Sequence, residues 1–115
     1  MGIQIYHNPR CSKSRLTKAI LEEQGVDFEV IEYLNTPPSV EELDAILNKL
    51  GIEPMALMRT GEDEFKALIK GKDLSRAEMI NLMVANPKLI ERPIVVNGDK
   101  AAIGRPPESV LTIIA

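Results

Sequence analysis

Apolar and polar positions along the chain alternate between two periods, and the switches mark the elements. Ile3, Ile5 and Tyr6 form a short apolar run that reads as a buried strand. A polar turn follows over residues 7–14, and Ser12 or Ser14 is placed to cap a helix after it. That helix is expected to carry Leu16, Ala19 and Ile20 on one face and to stop at Gly25. Residues 28–34 are rich in β-branched and aromatic side chains and read as a second strand. Strand, helix and strand at this spacing make a βαβ unit, which requires parallel strands and a right-handed crossover.

Pro37-Pro38-Ser39 breaks the chain and starts another helix. Leu43, Ile46, Leu47 and Leu50 recur at the helical period there, and Gly51 ends it. Residues 52–90 read as helical, interrupted at Pro54, Gly61, Gly71 and Pro87. Ser75-Arg76-Ala77-Glu78 is a capping-box pattern ahead of Ile80, Met83 and Val84. After Arg92-Pro93, Ile94-Val95-Val96 reads as a strand and Asn97-Gly98 as a hairpin turn. Residues 100–103 should return antiparallel. Pro106-Pro107 opens a last helix with Val110, Ile113 and Ile114 on one face.

The order is β-α-β, a helical insert at about residues 39–90, then β-β-α, within one domain of 115 residues. A small mixed β-sheet flanked by helices satisfies it. The simplest match in the α/β class is the thioredoxin-like fold, in which the proline opening the third strand is cis. A cis Arg92–Pro93 bond is therefore expected.

Composition narrows the function. Aromatic residues make up 3% of the chain, so the core must be aliphatic. The net charge is −3, with no basic stripe for nucleic acid and no apolar run long enough for a bilayer. The N-terminus has no signal-peptide pattern, and a cytoplasmic location is expected. One cysteine, Cys11, and one histidine, His7, exclude an internal disulfide and make no metal site by themselves.

Cys11 lies where a strand turns into a helix start, a place of partial positive charge that favours a thiolate. Residues 7–21 add Arg10, Lys13, Arg15 and Lys18 and no acid. This local inversion should lower the thiol pKa and attract an anion. The flanking Arg10, Ser12 and Lys13 argue against deep burial. Ser14 stands where a second cysteine would complete C-x-x-C, so a two-cysteine cycle is excluded. Thr17 stands where a C-x5-R phosphatase loop needs arginine. Farther on, Arg92 and Arg105 each precede a proline on either side of the hairpin, which should bring them together. Arg59 lies in an apolar stretch. Arginine suits bidentate binding of tetrahedral oxyanions, and it serves equally well in ion pairs.

These residues match a family. Ile5-Tyr6-His7-Asn8-Pro9-Arg10-Cys11-Ser12-Lys13-Ser14-Arg15, Tyr33-Leu34-Asn35-Thr36-Pro37-Pro38 and Leu57-Met58-Arg59 occur in the order seen there. So do Asn86-Pro87-Lys88-Leu89-Ile90-Glu91-Arg92-Pro93-Ile94-Val95-Val96 and Gly104-Arg105-Pro106. The chain resembles the glutaredoxin-dependent arsenate reductases of the thioredoxin-like superfamily, in their shorter chromosomal form. The resemblance implies that Cys11 attacks arsenate and that Arg59, Arg92 and Arg105 hold the oxyanion. It also implies that His7 helps the thiol ionise. Glutathione would be co-substrate, glutaredoxin the reducing partner, and no cofactor bound. Ser12 and Lys13 depart from the small residues of the plasmid-type enzymes. Two other readings share the motif: a thiol-sensing regulator that binds RNA polymerase, and a one-cysteine glutathione-linked reductase of another substrate. The two Arg-Pro motifs favour the arsenate reductase.

Overall fold

The computed structural model describes residues 2–114. Four strands form one mixed sheet in the order β2-β1-β3-β4. β1 (Ile3–Tyr6) pairs parallel with β2 (Phe28–Ile31), and antiparallel with β3 (Ile94–Asn97). β3 pairs antiparallel with β4 (Lys100–Ile103). The parallel pair is joined by α1 (Ser12–Glu23), as a βαβ crossover requires. This is the thioredoxin-like arrangement of the α/β class.

By internal contacts the chain divides into two units. One comprises the segment ending at Thr36 and the segment beginning at Arg92; the other is Pro37–Glu91. The first holds the sheet. Register places Ile5 opposite Val95 on one face, and these join Ile3, Leu21 and Val110 in a fully apolar cluster. Phe28, Ala102, Ile113 and Ile114 border it. Val110 closes a 3-10 turn, Pro107–Val110, that runs into α5 (Leu111–Ile114).

Three expectations are revised here. Leu16 does not face the core; it is 54% exposed. The buried positions of α1 are Ser14, Thr17 and Leu21, which share the same helical spacing. The two hydroxyls tolerate burial because local partners satisfy them. Thr17 Oγ1 donates to the Lys13 carbonyl at 2.8 Å, and Ser14 is bonded twice. Second, neither Ser12 nor Ser14 caps α1; the N-cap is Cys11 itself. Third, β2 ends at Ile31, because the Glu32 carbonyl accepts from both Asn35 and Thr36 and turns the chain out of the sheet.

The hairpin forms one residue later than its dipeptide signal implied. Asn97 is the last strand residue, paired with Lys100, and Gly98-Asp99 make the loop. Gly98 has φ +63 and among the described residues no non-glycine residue has positive φ, which is the type II′ requirement of glycine first. Asn97 Nδ2 donates to the Ile113 carbonyl at 2.6 Å, tying the hairpin to α5.

Gly104 is fixed by close packing. A Cβ there would collide with the Thr17 side chain and come within 2.8 Å of Pro93 Cγ. Its N–H also donates to the Pro93 carbonyl at 2.9 Å. Gly104→Ala should therefore cost about 1–3 kcal/mol through overpacking, read as a lower urea midpoint at unchanged slope. An unchanged midpoint would show that the Thr17–Pro93 contact has room to yield. Arg92–Pro93 is cis, as expected, and Arg105–Pro106 is cis too.

The second unit is helical. α2 (Val40–Leu50) buries Leu43, Ile46 and Leu47 and packs on α4 (Arg76–Ala85), which buries Ile80 and Met83. Both helices start with complete capping boxes, Ser39–Glu42 and Ser75–Glu78. A 3-10 turn (Pro54–Leu57), α3 (Asp63–Leu68) and a second turn (Pro87–Leu89) fill the intervals. Among the described residues no helix is long and apolar enough to cross a membrane.

Candidate active site around Cys11

The loop from β1 to α1 is built by short-range bonds. His7 N–H donates to the Ile31 carbonyl at 2.8 Å, extending the β1–β2 ladder by one residue. Asn8 then turns the chain: its carbonyl accepts from Cys11 N–H and its Oδ1 from Arg10 N–H, both at 3.0 Å. Cys11 follows in extended conformation at the helix N-cap. Arg15 reaches back to the Pro9 carbonyl at 2.9 Å and braces the turn.

Cys11 is more enclosed than its polar neighbours suggested, with 8% of its surface exposed. Burial pushes the thiol pKa up. The Ser14 amide, the Arg92 charge, the Lys13 amide and the Arg105 charge together outweigh it and hold the pKa below the ordinary thiol value. Sγ makes no full capping hydrogen bond to α1, yet these two amides favour its ionised form. Arg105 Nη2 lies 3.6 Å from Sγ.

The cations that act on the sulfur are thus not those nearest in sequence. Arg15 is spent on Pro9, and Lys18 pairs with Glu22 at 3.4 Å. Arg92 and Arg105 take their place. They meet across the hairpin base, where Arg105 Nε donates to the Arg92 carbonyl at 2.8 Å.

His7 is 6% exposed, and its Nδ1 lies 2.6 Å from Ser14 Oγ. Burial lowers its pKa, Lys18 and Arg15 lower it further, and Glu32 opposes them. The lowered pKa favours the neutral ring at pH 7. The unfolded chain therefore binds the proton first, and stability falls as pH drops below 6.5 toward the folded pKa. His7→Asn should flatten the urea midpoint against pH just below 6.5; an unaltered slope would assign the acid loss to the carboxylates.

Ser14 is the site residue that sequence reasoning passed over as a missing cysteine. It is fully buried, and its Oγ meets both His7 Nδ1 and the Asn8 N–H, the latter at 3.0 Å. Its buried helical register with Thr17 and Leu21 was the available signal. Arg59 belongs to the other unit. Its N–H donates to the Leu89 carbonyl at 2.8 Å, and its guanidinium pairs with Glu62 at 3.1 Å. Among the described residues no group of three or more His, Cys, Asp or Glu side chains is gathered to hold a metal ion.

Comparison with known proteins places the chain in a family. Residues 6–113 match the model of the ArsC family. The chain is 50% identical over 116 residues to an arsenate reductase of Haemophilus influenzae, covering 99% of this chain and all of that one. It is 39% identical over 114 residues to an arsenate reductase of Escherichia coli, covering 98% and 81%. The structure of arsenate reductase from Vibrio cholerae superposes with a TM-score of 0.94 at 52% identity, over 99% and 98% of the two chains. The chain with its single cysteine at the head of α1 belongs to the ArsC family.

Proposed function

We propose that the protein reduces arsenate to arsenite with glutathione and glutaredoxin, using Cys11 as its nucleophile. The observation that carries this reading is one enclosed sulfur flanked by a helix start and by Arg92 and Arg105, with Arg105 Nη2 at 3.6 Å. A thiolate among guanidinium groups is suited to attack a bound tetrahedral oxyanion.

In this scheme the Cys11 thiolate forms a bond to arsenic, and an arsenate oxygen is protonated and leaves as water. The glutathione thiolate adds to arsenic and expels a second oxygen as water. A glutaredoxin thiolate then attacks the glutathione sulfur. The bond from that sulfur to arsenic breaks with its electron pair left on arsenic, which becomes As(III) as a glutathione–glutaredoxin disulfide forms. Water cleaves the remaining sulfur–arsenic bond, releasing arsenite and the Cys11 thiol. One cysteine suffices because the other two sulfurs come from outside. A glutathione-consuming cycle suits a reducing compartment, and we place the protein in the cytoplasm.

Arg105 is assigned to the oxyanion by its approach to the sulfur, and Arg92 by its charge acting on the thiol and by the bond that ties it to Arg105. Arg59 is assigned to it on the family resemblance. Arg92→Ala should raise the arsenate KM about tenfold or more, since it removes a charge-assisted contact. An unchanged KM would remove Arg92 from the site. The whole scheme is tested by a coupled assay with arsenate, glutathione, glutaredoxin and NADPH. Absence of turnover, with Cys11 still rapidly alkylated, would assign the thiol to another substrate.

A further inference from the structure

The loop holds a buried polar pair whose task the reaction scheme leaves unexplained. Ser14 is completely buried, and a buried hydroxyl is retained at a cost unless its bonds are made. Its Oγ is held from two sides, by the Asn8 N–H at 3.0 Å and by His7 Nδ1 at 2.6 Å. Both partners belong to the strand-to-helix loop, where the Asn8 carbonyl also accepts from the Cys11 N–H at 3.0 Å, and the Ser14 amide is among the groups that favour the Cys11 thiolate. The side chain therefore clamps the amide that serves the thiolate.

We propose that Ser14 is a positioning residue for Cys11, its hydroxyl donating to His7 Nδ1 and accepting from the Asn8 N–H so that the loop carrying Cys11 is held against the first turn of α1. Asn8 N–H fills an acceptor site of the hydroxyl, and the hydroxyl proton is directed to the imidazole. A neutral ring protonated at Nε2 offers the lone pair needed, and an imidazolium offers none. The charged groups that bear on His7 are Lys18 and Arg15 of α1 and Glu32 after β2. Burial with the two cations keeps the ring in its accepting form. His7 thus acts on the thiol through Ser14, as an acceptor rather than as a nearby positive charge. The inference rests on Cys11 being the reacting thiolate of the proposed function, and its tests use no arsenate, so the two readings fail separately.

His7 is the single histidine, so its ring nitrogens are unambiguous in a 15N spectrum of the whole protein. At pH 7 the neutral Nε2–H tautomer with Nδ1 accepting is expected. A proton on Nδ1, in the other tautomer or the imidazolium, would overturn the proposal. The second measurement is the pH profile of iodoacetamide alkylation at Cys11. Ser14→Ala and His7→Leu should both move the midpoint upward and slow alkylation at pH 7 about threefold or more, since rate follows thiolate fraction. His7→Asn supplies an amide oxygen close to the place of Nδ1 and should restore the low midpoint. A Ser14→Ala midpoint equal to that of the parent protein, or His7→Leu and His7→Asn behaving alike, would overturn it. If Ser14→Ala fails to fold, the tautomer of the parent protein decides.

Discussion

Cys11→Ser should abolish arsenate turnover, by at least about 10^4-fold, while the fold and the urea midpoint change little. Serine is nearly isosteric with cysteine, and Sγ makes no capping hydrogen bond to α1 that the change would forfeit. A hydroxyl in the same surroundings stays protonated at any pH the protein survives, so the amides of Ser14 and Lys13 have no anion to favour. The companion observation is alkylation of the unsubstituted thiol with a midpoint below that of a free cysteine. Substantial arsenate reduction by Cys11→Ser would end the nucleophile assignment, whatever the other residues do.

Arg105→Ala should lower kcat/KM for arsenate by about 10- to 100-fold, the worth of one charge-assisted bond to an oxyanion. It should also move the Cys11 alkylation midpoint upward, because the guanidinium is among the groups that favour the thiolate. The two effects separate in Arg105→Lys. A lysine ammonium keeps the positive charge and so keeps part of the shift. It cannot reproduce both the Nε bond to the Arg92 carbonyl and the Nη2 approach to sulfur. KM should thus remain raised in the lysine variant while the midpoint largely recovers. An Arg105→Ala enzyme with unchanged KM and unchanged midpoint would place the oxyanion elsewhere.

Residues whose periodicity is enforced by a two-sided apolar environment were legible in the sequence. Leu43, Ile46 and Leu47 of α2, and Ile3 and Ile5 of β1, are buried where their spacing put them. The hairpin and the approach of Arg92 to Arg105 followed from turn chemistry and chain reversal. Leu16 misled because hydrophobicity alone ranks it above Ser14 and Thr17. Hydrogen bonds to His7, Asn8 and Lys13 make those polar residues the cheaper ones to bury. The source of positive charge was misread for a related reason. Arg15 and Lys18 adjoin Cys11 in sequence but are engaged by Pro9 and Glu22, and neighbours along a helix diverge around it. The enclosure of Cys11 was not legible, since the polar residues beside it point outward and say little about its own side chain.

The sulfur and its arginine partner stand 94 residues apart in sequence. In synthesis Cys11 leaves the ribosome well before Arg92 and Arg105. The two guanidinium charges reach the thiol only when the chain has closed this long loop. Until then the cysteine is an ordinary thiol, mostly protonated at neutral pH and slow toward oxidants and electrophiles. The share of its acidity that Arg92 and Arg105 supply is accordingly gained only when that loop has closed.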